Sequence, residues 1–329
     1  MRVAIVCSAH GFGHAGRQLA LAEALGSAGH AVTVFSALPN GVAPTGVPGV
    51  VHRFWRVDVG LVQIDALRED VAATAARVDE VCAEARIDAL AGELGPFDAA
   101  IVDVAPAGLE AARRAGVRAL AVGNFDWAWI YGHFPSLGPW AARFAAWQAP
   151  HPGLSLWPGP GLRGFSDVRP GGLLGRVGRA VRVAPRSVLA AFGGFALDGL
   201  DALLPELPGV SWVLAPPTPR LVRSDVIWAA DVPFPALLAG ADAVLTKPGY
   251  GIFAECALAG TRIVHLPRTG FPEAPYLEHA LARRGDHAAA PTREGVADAV
   301  RRALDAPPPA ALRCTAAARV EAWLARGSP

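Results

Sequence analysis

The stretch Ala241–Glu255, Ala-Asp-Ala-Val-Leu-Thr-Lys-Pro-Gly-Tyr-Gly-Ile-Phe-Ala-Glu, constrains the chain more than any other. It reads as a short buried strand over Ala243–Leu245, a glycine turn over Lys247–Gly251, and an amphipathic helix carrying Glu255 one turn in. A strand that ends in glycines just before a helix leaves backbone N–H groups aimed at an anion. Gly249 and Gly251 have no Cβ, so a phosphate can approach the main chain closely. An acid at Glu255 suits the helix dipole, and it can also accept two hydroxyl protons from a ribose. The pattern predicts a diphosphate on the backbone of Gly249, Tyr250, Gly251 and Ile252, charge from Lys247, and a ribose on Glu255. A plain strand-to-helix turn with a surface glutamate has the same spacing, so the turn alone does not decide.

The remainder reads as two successive α/β patterns. Val3–Cys7 suits a central parallel strand. A loop holding His10 and His14 leads into a helix over about 15–28, and Ala31–Phe35 is the next strand. That order is a βαβ unit. Strands follow at Val50–Arg56, Asp98–Val102 and Val117–Val122, with helices at Ala66–Leu94 and Gly108–Ala115. Residues 124–157 hold five of the nine tryptophans, and residues 158–185, rich in glycine, proline and arginine, read as connecting chain. A second pattern opens at Ser187–Phe192 with the turn Gly193-Gly194. It continues through strands at Ser211–Leu214, Val226–Trp228, Ala243–Leu245 and Arg262–His265 to helices at 272–284, 293–305 and 310–326. The expected organisation is a Rossmann-like domain over 1–160, a linker over 161–185 and a second Rossmann-like domain over 186–329, the last helix being a candidate to cross back. In such sheets ligands bind beyond the carboxyl ends of the strands, so the expected site is a cleft between the two halves.

Composition excludes several alternatives. At 329 residues the chain suits two domains. With 52% hydrophobic and 18% charged residues and a net charge of +1, it is globular, with no electrostatic footprint for nucleic acid or anionic membrane. Lys247 is the only lysine, and it falls inside the key turn. Cys7, Cys82, Cys256 and Cys314 are scattered without a CxxC pair, so neither a disulfide framework nor a zinc site is expected, which favours a reducing cytoplasm. The apolar run after Met1 ends at Ser8, too short for a secretion signal, and nothing reaches the length of a membrane span.

Gly11-Phe-Gly13-His-Ala-Gly16 is a formal dinucleotide fingerprint. The strand that should then supply a ribose-binding acid ends Val34-Phe35-Ser36-Ala37, with no Asp, Glu or Arg, which argues against NAD(P). The loop offers instead His10 and His14, either of which can take a proton from an attacking hydroxyl near neutrality. Asp103 can orient one imidazole, or cap the helix that begins near Pro106. Asp65 can face the site or cap its own helix. Glu273 can meet sugar hydroxyls or simply start a helix well. The tryptophan segment, including Trp127 beside Asn124, suits core or lid packing or an acceptor pocket.

Taken in order, His10-Gly-Phe-Gly-His14-Ala, Val59-Gly-x-Val-Gln-x-Asp65-Ala-Leu, Asp103-Val-x-Pro106, Asn124-Phe-x-Trp127-x-x-Ile-Tyr131, Phe192-Gly-Gly194 and Lys247-x-Gly-Tyr-Gly251-x-x-x-Glu255 resemble the glycosyltransferase-like amino-terminal domain of L-arabinokinase. More distantly the chain is similar to GT-B nucleotide-sugar transferases, including the lipid II-forming N-acetylglucosaminyltransferase. Those keep a glutamate six residues after the first glycine of the turn, as Gly249 and Glu255 do, and a histidine matching His14. The resemblance implies an α/β GT-B fold of two Rossmann-like domains facing across a cleft. It also implies a glycosyltransferase that uses a nucleoside-diphosphate sugar, UDP by preference, as co-substrate, with a small hydroxyl acceptor and without a metal or other cofactor. His14 would be the base, helped by His10 or Asp103. Gly193, Gly194, Lys247, Gly249, Tyr250, Gly251, Ile252, Glu255 and Glu273 would form the donor side, and Asp65, Asn124 and Trp127 the acceptor side. The chain departs from the transferases where a pair of glutamines meets the donor sugar, having Ala274 and Pro275 there. A 2-epimerase of the same fold, or a non-catalytic nucleotide- or sugar-binding module, is compatible with the same motifs.

Overall fold

The apolar run after Arg2 becomes β1 (Arg2–Cys7), buried from Val3 onward. The computed structural model describes residues 1–8, 12–37, 47–64, 68–193, 197, 199–268 and 270–327. One compact unit comprises residues 1–62, 69–174 and 314–329, and a second comprises 63–68 and 175–313. In the first, β1 is joined by β2 (Ala31–Ser36), β3 (Val50–Phe54), β6 (Ala99–Asp103), β7 (Ala119–Gly123), β8 (Pro152–Leu156) and β9 (Asp167–Gly172). Their order is β3-β2-β1-β6-β7-β8-β9, and each adjoining pair is parallel. Two-residue strands β4 (Val62–Gln63) and β5 (Glu69–Asp70) lie in the connection that follows β3. The helices are α1 (Phe12–Ser27), α2 (Val71–Val81), α3 (Glu84–Leu94), α4 (Pro106–Arg114), α5 (Trp127–Tyr131) and α6 (Gly138–Gln148). Covered on both faces, the central strands need no polar alternation. That is why β1 and β6 read as unbroken apolar runs.

Three expectations are corrected. The helix expected over 66–94 is two helices, because its buried stripe changes phase. Thr74, Val78 and Val81 line one, and Ile87, Leu90 and Leu94 line the other. A continuous helix would have to bury 84 or 85, and Glu84 to Arg86 are exposed. The chain therefore turns extended at Ala83 (φ −63°, ψ 144°).

The residues read as linker are not a tether. Residues 167–172 are the edge strand β9, whose exposed face and Pro170 hide it from a hydrophobic pattern. Gly172, at φ +80°, passes so close to Thr315 that a Cβ would overlap its hydroxyl. Farther on, Val181 donates its N–H to Ala236 O at 3.0 Å, and Arg182 pairs with Asp242 at 3.0 Å.

The second unit holds β10 (Ser187–Ala191), β11 (Ser211–Leu214), β12 (Val226–Trp228), β13 (Ala243–Thr246), β14 (Arg262–His265) and β15 (His287–Ala288), all parallel, in the order β12-β11-β10-β13-β14-β15. Its helices are α7 (Leu200–Leu203), α8 (Phe234–Gly240), α9 (Tyr250–Ala259), α10 (Ala274–Arg284) and α11 (Arg293–Asp305). The chain ends in α12 (Ala316–Ala325), which belongs to the first unit and packs Val320 and Leu324 with Val3, Ile5, Leu21 and Leu25. It is shorter than the helix expected over 310–326, because the preceding residues bond elsewhere: Leu312 donates its N–H to Ala257 O at 2.8 Å and Cys314 bridges Leu173, so helix begins only after Thr315. No helix among the described residues is long and apolar enough to cross a membrane.

A Cβ on Gly240, at the end of α8, would overlap the Val181 carbonyl, which is main chain and cannot swing away. Gly240→Ala should therefore cost about 1–3 kcal/mol in urea unfolding. An unchanged midpoint would mean that the close approach is not made.

Candidate functional site

In each sheet the strand order reverses once, between β1 and β6 in the first and between β10 and β13 in the second. Doubly wound sheets bind ligands at that switch point, beyond the carboxyl ends of the strands. Asp103 and the helix carrying His14 lie there in the first unit, and the turn before α9 lies there in the second.

In the first unit, Cys7 at the end of β1 is in register with Asp103 at the end of β6. His14, Arg17 and Gln18 stand at i, i+3 and i+4 on α1 and share one face. All three turn to Asp103. His14 Nδ1 lies 3.1 Å from Asp103 Oδ1, Arg17 Nε donates to Oδ2 at 2.8 Å, and Gln18 Nε2 donates to Oδ2 at 3.0 Å. Arg17 Nη2 also donates to Oδ1, and it lies 2.7 Å from His14 Nδ1. Arg17 Nη1 donates to Asn124 Oδ1 at 2.6 Å, and Asn124 Nδ2 donates to Pro158 O at 2.7 Å. These side chains are buried, Asp103 completely.

Backbone geometry presents the carboxylate. Val104 has φ +44°, a region that a β-branched residue enters only under strain of about 1–3 kcal/mol. Room for it exists because Gly123 lacks a side chain, and a Cβ there would overlap Val104 Cγ1. Asp103 does not cap α4, whose N-cap position is Ala105 without a side-chain bond.

The electrostatics follow from burial. Burial alone would raise the Asp103 carboxyl, but Arg17 and His14 overcome it and hold the group well below the usual carboxylate range. The His14 ring is pushed below its ordinary value, first by burial and then by Arg17, with Asp103 opposing both. The Cys7 thiol is raised far above its ordinary value by burial, so it stays neutral.

In the second unit, Thr246 at the end of β13 donates its hydroxyl to Ala191 O at the end of β10, at 2.6 Å. The turn then delivers α9, whose first internal bond is Phe253 N–H to Gly249 O at 3.0 Å. The N–H groups of Tyr250, Gly251 and Ile252 therefore precede the helical ladder. Gly249 is extended (φ −159°), and a Cβ there would meet nothing nearer than 3.8 Å. Neither its conformation nor its neighbours demand glycine, as expected if the missing side chain serves an incoming ligand. Gly193, by contrast, has φ +76°, where glycine is favoured. Helix α9 is buried on nearly every side and not amphipathic as expected. Glu255 is correspondingly no surface residue. It is 5% exposed and accepts a 2.8 Å bond from Arg176 Nε. Burial raises its carboxyl and Arg176 only partly offsets that.

The structure thus gathers His14, Asp103 and Asn124 into one network, and it places Lys247, Gly249 and Glu255 around the start of α9. Asn124 is spent inside the network. Trp127 is 1% exposed and packs against Phe125 (5.2 Å between ring centroids), whose edge meets the His14 ring at 6.0 Å. Glu273 occupies the N-cap position of α10 without capping it. His10, Asp65 and Gly194 lie outside the described residues. Sequence reasoning missed Arg17, Gln18 and Arg176, as well as Arg268, which is buried with its guanidinium 3.6 Å from the Phe271 ring centroid. Helical spacing from His14 would have found the first two.

No family model matches the sequence. The chain is 29% identical over 301 residues to L-arabinokinase of Arabidopsis thaliana, which covers 83% of this chain and 29% of that protein. It therefore spans well under half the length of that relative. Among solved structures it is similar to the spinosyn forosaminyltransferase SpnP (TM-score 0.65, 18% identity, 99% of this chain and 94% of the other). It is also similar to the calicheamicin glycosyltransferase CalG4 (0.62, 18%, 100% of both). Phytolacca americana UGT2, solved with UDP-2-fluoroglucose and pterostilbene, is a third (0.61, 14%, 92% and 90%). At these identities the likeness establishes the fold. The chain has the GT-B fold of two Rossmann-like α/β units.

Proposed function

We propose that the chain is a glycosyltransferase that moves a sugar from a nucleoside-diphosphate donor to a small hydroxyl-bearing acceptor. The observation that carries this reading is the buried His14–Asp103 pair at the switch point of the first sheet, in a fold that SpnP, CalG4 and UGT2 share. Asp103 faces Nδ1, so the tautomer with its proton on Nδ1 presents Nε2 as the base. The acceptor hydroxyl gives its proton to Nε2, and its oxygen bonds to the anomeric carbon. The bond from that carbon to the diphosphate breaks, and the diphosphate departs with the electron pair. Its charge is met by the N–H groups of Tyr250, Gly251 and Ile252, aided by Lys247, and in this reading no metal ion is required. Glu255 accepts from the ribose, and Glu273 from the sugar. Uridine is the base the family resemblance implies; UGT2 was solved with a UDP-sugar and VinC, of the same fold, with dTDP. Free, buried Cys7, Cys82 and Cys256 support a reducing compartment, the cytoplasm.

A thermal-shift panel of UDP, GDP, dTDP, their sugars, NAD and NADP tests the donor site on wild type and Glu255→Ala. A ligand at about 100 times its Kd adds about 2.7 kcal/mol, visible as a shift of a few degrees. One nucleoside diphosphate should stabilise the wild type and lose most of its effect on the variant. A shift with NAD or NADP alone would overturn the reading, and incubation with donor alone would expose an epimerase by its product.

A further inference from the structure

We propose that Arg17 is the positioning residue of this centre: by neutralising Asp103 and abutting Nδ1 of His14, it keeps the imidazole uncharged and so able to take a proton. The inference rests on the reading of His14 as the base.

Arg17 is 3% exposed, and its Nε, Nη1 and Nη2 all point into the network, to Asp103, Asn124 and His14. A carboxylate has about four lone-pair sites. Three contacts reach Asp103 without any help from His14, namely Arg17 Nε, Arg17 Nη2 and Gln18 Nε2. The carboxylate is therefore already matched in charge and largely matched in hydrogen bonds. An imidazole beside an unmatched buried carboxylate would be drawn to accept a second proton and would then be useless as a base. Here that pull is cancelled by a fixed cation.

The contact with Nδ1 sharpens the effect. Nδ1 meets a donor, Arg17 Nη2 at 2.7 Å, and an acceptor, Asp103 Oδ1 at 3.1 Å. The neutral tautomer protonated on Nδ1, the one that leaves Nε2 as the base, satisfies Asp103, and the other satisfies Arg17. The imidazolium would set an N–H and a positive charge against the guanidinium. Among the described residues, the charged groups bonded to the ring are Arg17 on α1 and Asp103 at the end of β6. Cys7 on β1 lies within electrostatic reach of Asp103, Arg17 and Asp58. Gln18, Asn124 and Phe125 adjoin the centre without charge. The direction of the His14 titration agrees, with Arg17 lowering it and Asp103 raising it.

The experiment is nitrogen-detected NMR of histidine-labelled protein across pH 4–9, on wild type, Arg17→Gln and Arg17→Lys, with His14 assigned through His14→Gln. In the wild type His14 should titrate below its ordinary value of 6.5. Arg17→Gln, which keeps donors but removes the charge, should raise the midpoint by about one pH unit or more, and Arg17→Lys should restore much of the wild-type value. A wild-type midpoint at or above 6.5 overturns the inference even if neither variant folds. So does a folded Arg17→Gln protein whose midpoint has not moved, or a lysine variant indistinguishable from glutamine. The readout needs no turnover. If the midpoints behave as expected and no donor–acceptor pair supports transfer, the role of Arg17 stands and the transferase reading falls. If transfer is found and the midpoints do not move, the reverse holds.

Discussion

His14→Ala should lower kcat roughly 10²-fold or more, the usual contribution of a positioned general base, while the second unit still binds the donor. The two readouts separate because the residues concerned sit at different switch points. His14 belongs to the network at β1 and β6, and the turn that precedes α9 follows β13. In the wild type the neutral ring is the active form, so the rate should fall as pH drops through the His14 midpoint. That midpoint is depressed by burial and by Arg17, so the half-maximal point of the fall should lie below 6.5. The alanine variant should lose this acid limb along with most of its rate. Donor-induced thermal stabilisation should match wild type within error. Undiminished turnover would remove His14 from the mechanism. A silent His14→Ala paired with lost binding in Glu255→Ala would point instead to a non-catalytic binding module.

How much of this was legible follows from what each residue had to satisfy. Central strands such as β1, β6 and β13 are buried on both faces, so their apolar runs could serve nothing else. The glycine turn after β13 announced α9, because N–H groups that precede the helical ladder are a local property of sequence. Edge strand β9 was invisible, since five of its six residues are exposed or half-buried and one is proline. The break between α2 and α3 carries no glycine or proline, only a slip in phase between two buried stripes. Asp103 kept two readings because strand ends and helix caps favour the same acid, and only the fold brings it to His14, 89 positions away. Arg17 was overlooked for a different reason. Arginine is ordinarily a surface residue, and although its helical spacing puts it on the face of His14, only the fold supplies the carboxylate it is folded over. Glu255 met the same difficulty in reverse, since its partner Arg176 lay in residues read as connecting chain.

Asp103→Ala should be the most damaging single change to stability, costing about 3–5 kcal/mol, because it strands Arg17 as a buried cation without its counter-charge. For a unit of this size that corresponds to a drop in Tm of about 10 °C. Buried ion pairs are asymmetric in what their loss costs. Removing one partner leaves the desolvation of the other uncompensated, while removing both is far milder. Arg17→Met with Asp103→Ala should therefore recover a substantial part of the loss, and the double-mutant cycle should report strong coupling between positions in direct contact. The pH dependence is fixed by the direction of the Asp103 shift. Its folded carboxyl is held below the unfolded value of 3.8, so its contribution is fully present above 3.8 and is lost only as pH falls through the lower folded value. The difference between wild type and Asp103→Ala should accordingly not narrow from pH 8 down to about 4, since Asp103 also raises the His14 ring, and should shrink only in stronger acid. Additive single-mutant losses, or a difference that already narrows near neutrality, would mean that Arg17 is compensated elsewhere and that the pair does not hold this end of the sheet together.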